Sequence, residues 1–177
     1  MFTLAGYHPR MNVVEKRLLA LVAKTTGDGG RGLCEALALV VADVSPFDRG
    51  ELAFVRAGSV ERWPLAGDAP VCGDDLVRHI AAHPAPVRID ELHEAESFPR
   101  THERLVALGL RSLLALPISD CGGPEGAVVI ARDYGWAFAG ASLRLLEPIA
   151  AMAGLCLEKT LLLSNGAASR RVRPIKL

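Results

Sequence analysis

A chain of 177 residues, half of them hydrophobic, suits one domain that buries roughly 70% of its unfolded surface. Its 20 basic and 20 acidic residues cancel, and no apolar run approaches the ~20 residues that cross a bilayer. Residues 165–177 hold four basic residues and no acid, leaving 16 basic against 20 acidic elsewhere, so the core is not a nucleic-acid-binding surface.

The start, MFTLAGYHPRM, has no apolar segment behind a basic end, and a cytoplasmic protein with no membrane partner is expected. Cys34, Cys72, Cys121 and Cys156 are widely spaced, giving neither a disulfide framework nor a zinc site, and no cofactor is expected. Of these thiols, Cys72 lies in a loop between Pro70 and Gly73, so it is expected to be exposed and the most reactive.

In chain order, Val13–Thr25 repeats Val14, Leu18, Leu21 and Val22 as an amphipathic helix and stops at a Gly-Asp-Gly-Gly breaker. Leu33–Val44, rich in Ala and Leu, predicts a second helix. Glu51–Arg56 and Ser59–Leu65, joined by Ala57-Gly58, predict a hairpin. Gly67–Gly73 is loop. Asp74–Ala82 predicts a short helix with Asp74 or Asp75 placed as its N-cap. His83-Pro84-Ala85-Pro86 ends it, Val87–Asp90 is extended, and Phe98–Leu108 is a further helix.

The centre of the domain follows. Ser112–Ile118 and Gly126–Ala131 are short runs, apolar at odd and even positions, around a Gly122-Gly123-Pro124 turn. They predict an antiparallel hairpin in a sheet covered on both faces. Ser142–Leu163 is a long helix with apolar residues around much of its circumference and Pro148 inside it, where a kink is expected. Small residues at Ala150, Ala151, Ala153 and Gly154 permit close approach of another element. The basic end, 164–177, reads as a flexible tail or linker, and 1–12 as an N-terminal extension.

The ordered set LGLRSLLALPI, then GG, then EGAVVIARDY, then WAFAGASLRLLEPIAAMAGLCLEK resembles the GAF domain. GDAPVCGDDLVRHIAAHPAPVRIDEL, upstream, is similar to another passage of that family. The resemblance spans roughly Val13–Leu163, the expected domain 13–163. It implies an α+β fold: an antiparallel sheet of about six strands, terminal helices on one face, loops and short helices over a pocket on the other. It also implies a regulatory, small-molecule-binding role in bacterial signalling or transcription control.

Subfamily motifs narrow the ligand. Bilin-carrying members have a Cys-His pair at the start of the helix before the central hairpin; here Pro99, Arg100, Thr101 and His102 stand there, with no thiol. The Asn-Lys…Phe…Asp-Glu signature of cyclic-nucleotide binders is absent, since Asn12 and Asn165 both lie outside the core. Free methionine-(R)-sulfoxide reductase, the enzyme branch, needs an attacking and a resolving thiol. Val71-Cys72-Gly73 resembles one cysteine context of that enzyme, but Leu113, Val129 and Ala131 stand where its substrate-gripping acids are expected.

Those substitutions imply an apolar pocket floor of Leu113, Ala115, Val129 and Ala131, bounded by Trp63, Phe98 and Leu105, with Arg111 or Arg132 near the rim to orient a carboxylate. No catalytic and no metal-binding residue is assigned. His79 and His83 have a metal-compatible spacing but no third ligand, and read as surface histidines. Asp90, Glu91, His93, Glu94 and Glu96 form an acidic loop at the pocket mouth. Asp43, Asp48 and Glu51 are dispersed carboxylates. The expected function is a sensor that binds a small, largely apolar ligand and signals through terminal helices paired in a homodimer. The alternative is a ligand-free dimerisation module.

Overall fold

The computed structural model describes residues 30–118, 125–138 and 143–170, with side chains of the last helix through 163. The expected helix at Val13–Thr25, the extension 1–12 and the end of the basic tail fall outside these residues. Along the described chain the elements are α1 (Arg31–Val44), β1 (Arg49–Arg56), β2 (Ser59–Ala66) and α2 (Asp74–Ala82). Next come β3 (Val87–Ile89), a 3-10 turn (Leu92–Ser97), α3 (Pro99–Leu108), β4 (Ser112–Pro117), β5 (Gly126–Arg132) and α4 (Leu143–Arg170).

The five strands form one sheet in the order β2-β1-β5-β4-β3, with every neighbouring pair antiparallel. This is the expected architecture with five strands among the described residues instead of about six. The β1–β2 turn explains the hairpin's register. Ala57 and Gly58 both have positive φ, 49° and 81°, the backbone of a two-residue turn whose twist matches that of the strands.

Both faces of the sheet are buried, and the central hairpin shows why its residues are apolar at every position. Leu114, Leu116, Val128 and Ile130 point to one side, where Leu37 and Val41 of α1 and Ile149, Ala153 and Leu157 of α4 cover them. Leu113, Ala115, Val129 and Ala131 point to the other, under Leu76, Val77 and Ile80 of α2 and beside Leu105 of α3. Each fully buried Leu or Ile contributes roughly 1.5–3 kcal/mol, so two apolar layers on one sheet account for the fold.

Gly154 sets how closely α4 approaches. A Cβ there would run into the carbonyl oxygen of Ile118, so the small-residue run serves packing against β4. The helix continues to Arg170, beyond the expected end at Leu163. Among the described residues, no helix is long and apolar enough to cross a membrane.

The expected N-cap of α2 is corrected. Gly73 holds that position, with no side-chain cap. Asp75 instead reaches the following helix, accepting from the Arg100 N–H at 2.8 Å and the Thr101 hydroxyl at 2.8 Å. The Gly73 N–H donates to the same hydroxyl at 3.0 Å. The first turns of α2 and α3 are thus tied together.

Candidate functional site

The α2 face of the sheet is apolar over its centre and polar at one corner. Counting from the turn pairs Ala53 with Arg62 and Leu52 with Trp63. Cross-strand partners share a face, so Arg62 lies on the side of Ala53 and Ala127, under α2. Trp63 lies on the opposite side with Leu52.

Arg62 is the hub of that corner. One guanidinium nitrogen donates to Glu51 Oε1 at 2.7 Å and the other to Asp74 Oδ1 at 2.6 Å. Glu51 Oε1 also accepts from the Cys72 backbone N–H at 3.0 Å and from its thiol at 3.2 Å. The Glu51 side chain is 3% exposed, Arg62 15% and Asp74 38%, so the cluster is closed at the strand and opens toward the first turn of α2. A second tie joins the same elements, since Arg78 of α2 donates to the Gly58 carbonyl at 2.7 Å.

The electrostatics follow from this geometry. Burial works against the charge on Arg62, but Glu51, Asp74 and Cys72 outweigh it and raise the guanidinium pKa further. Asp74 is held below the usual carboxylate range by its hydrogen bond from Arg62, with the charges of Arg104 and Arg78 adding to that of Arg62. Cys72 is pushed well up by burial and then by Glu51, which Arg62 only partly counters.

The expectation of an exposed, reactive Cys72 is therefore overturned. The side chain is fully buried, and the thiol is a protonated hydrogen-bond donor. Cys34 and Cys156 are also buried, and burial raises both thiols, Cys34 to about 12.

Six of the expected pocket residues come together: Phe98, Leu105, Leu113, Ala115, Val129 and Ala131 belong to the α2-face cluster. The last five are fully buried. Trp63 does not join them. Its ring meets Phe54 edge-on at 5.2 Å on the other face and forms part of a groove of about 380 Å³ lined by Gly30, Cys34 and Leu65 among others.

Neither expected rim arginine faces the floor. Arg132 follows Ala131, so alternation turns it away; it donates to the Pro46 carbonyl at 3.1 Å and lies 4.5 Å from the centre of the Tyr134 ring. Arg111 is exposed and paired with Glu91 at 3.1 Å. The arginine on the floor side is Arg62, which sequence reasoning missed. Its signal was the two-residue turn, which fixes the register that puts it beside Ala53.

The acidic loop is pinned. Asp90 is buried, accepts from Arg88 at 2.9 Å, and its N–H donates to Glu94 at 2.8 Å. His79 and His83 stack at 5.1 Å, with Phe98 edge-on to His79. No group of three or more metal-binding side chains occurs among the described residues.

No curated protein matches the sequence. Solved structures do. A GAF domain from an Acinetobacter phosphoenolpyruvate-protein phosphotransferase is 16% identical with TM-score 0.59, covering 93% of this chain and 99% of its own. A domain of a Sinorhizobium meliloti protein described as a two-component sensor histidine kinase is 18% identical with TM-score 0.58, covering 83% and 100%. Type II free methionine-R-sulfoxide reductase from Thermoplasma acidophilum is 17% identical with TM-score 0.59, covering 79% and 96%. At these identities the likeness is one of fold. The GAF domain family itself matches residues 17–157, and with most of its length inside that match, the chain belongs to the GAF domain family.

Proposed function

We propose that this GAF domain binds a small, largely apolar ligand on the sheet face under α2 and transmits the event through its terminal helices. The observation that carries the reading is the Glu51–Arg62–Asp74 network, enclosed at Glu51 and open at Asp74, at the corner of an otherwise apolar face. Burying the Glu51–Arg62 pair costs several kcal/mol per ion before its pairing energy is recovered, and apolar side chains would close the same face at no such cost. What the ions add is a polar clasp between the edge strand and the cover helix. A ligand that favours the unclasped arrangement shifts the population by its differential affinity for the two states.

The route outward is α4, whose inner side packs on β4 and β5 and whose outer side carries exposed Leu145, Leu155 and Leu162. Two copies joined along that outer side would couple the sheet to a paired helix, giving the homodimer. A second reading, a ligand-free dimerisation module, is favoured by the complete burial of Leu113, Ala115, Val129 and Ala131.

A reductase reading gains nothing from Cys72, because a fully buried protonated thiol is a poor nucleophile. Fragment screening by amide NMR tests the proposal. Binders that shift the amides of Ala53, Ala127 and Leu76–Ile80 support it. If every binder maps to the Trp63 groove, or if none binds, the dimerisation reading takes its place.

A further inference from the structure

Resting on the sensory reading of this face, we propose that the ligand carries a carboxylate, and that Arg62 captures it in place of Asp74. Arg62 projects from an edge strand onto the α2 face, and its two ion pairs differ in depth. Glu51 is enclosed and is also held by the Cys72 N–H and thiol, so it stays. Asp74 is more than a third exposed and comes from the first turn of α2, so it is the partner that can leave. Its departure leaves one edge of a planar, charged fork available, a shape matched to a second carboxylate.

The floor beside that fork is apolar and built of small side chains, which suits an apolar body once the cover helix loosens. The row running inward from Arg62 is Ala53 and then Ala127, two of the smallest side chains on the sheet, with Val129 and Ala115 in the next row. A single ring or short branched chain attached to the carboxylate would lie over the two alanines, where Leu76 and Val77 belong to the apolar layer that now covers them. Asp74 has somewhere to go, since the positive charges of Arg78 and Arg104 already act on it. Releasing Asp74 removes one tie between α2 and the β1–β2 hairpin, while that of Arg78 to Gly58 stays. The same exchange that recognises the ligand therefore loosens the cover helix.

Three one-ring probes separate the possibilities: benzoate, benzyl alcohol and benzylamine, titrated into the full chain while the amides and the Arg62 Nε–H are followed by NMR. Benzoate is expected to bind in preference to benzyl alcohol and to shift the Arg62 Nε–H. Asp74→Ala, which removes the internal competitor, should tighten benzoate at least tenfold and leave benzyl alcohol unchanged. Arg62→Lys keeps a cation for Glu51 and should remove the benzoate preference. Equal binding of benzoate and benzyl alcohol to all three proteins would overturn the carboxylate inference and leave the sensory reading standing. Preference for benzylamine would overturn it in favour of Glu51 as the recognising group. If no probe moves this face in any protein, the sensory reading fails with it.

Discussion

At the scale of single residues, Arg62 holds together what the rest of the corner needs. Arg62→Met would leave Glu51 buried without its cation, and should cost on the order of 3 kcal/mol in urea unfolding. Pairing it with Glu51→Leu should return most of that loss, because removing both charges also removes the desolvation penalty. Unchanged stability in the single variant would mean that the network is absent in solution. The Asp74 link has a pH signature. Its folded-state pKa is lowered from an ordinary 3.8, so its contribution is present above that value and is lost as pH falls through the lower folded-state value. Asp74→Asn should accordingly flatten the acid limb of a plot of stability against pH below about 4 while lowering stability at neutral pH. The thiols give a third check. Maleimide labelling followed by peptide mapping should modify Cys34 and Cys156 before Cys72, because Cys72 is the most enclosed of the three and its protonated thiol donates a hydrogen bond to Glu51.

Among the elements, those with a strong local pattern were legible in the sequence. The β4–β5 hairpin announced itself by apolar residues at both parities, α2 by its bounds at Asp74 and Ala82, and the β1–β2 turn by Ala57-Gly58. Alternation put Leu113 with Ala115 and Val129 with Ala131 on common faces, and the family resemblance chose that face as the floor. What was not legible depended on side chains crossing between elements. Asp75 bonds to α3 instead of capping its own helix, Cys72 is buried by a loop whose composition reads as exposed, and Arg62 needed the register of a neighbouring strand. Trp63 and Arg132 were misplaced for one reason: a strand sends adjacent residues to opposite faces, and each stands next to the residue that faces the floor. Packing of the floor is itself testable. Ala131 is fully buried in a closed layer, so Ala131→Leu should overpack it and cost roughly 1–3 kcal/mol, read as a lowered Tm. An unchanged Tm would mean that the resting face already holds room for a leucine.

For the whole molecule, one sheet has two faces covered by different helices. On one, α1 and α4 pack against β2, β4 and β5, and α4 continues to Arg170. On the other, α2 spans β1, β2 and β5 and is tied to the edge hairpin by Arg62–Asp74 and Arg78–Gly58. Alternate residues of β5 touch both layers, so under the proposed function a change beneath α2 would reach α4 through that strand. Amide hydrogen exchange of the full chain, with and without saturating benzoate, tests this most directly. The account predicts that protection falls along α2, from Leu76 to Ile80, and changes in the same titration along α4 between Leu146 and Leu157. Exchange that changes only around Trp63 and Leu65, or nowhere, would contradict it.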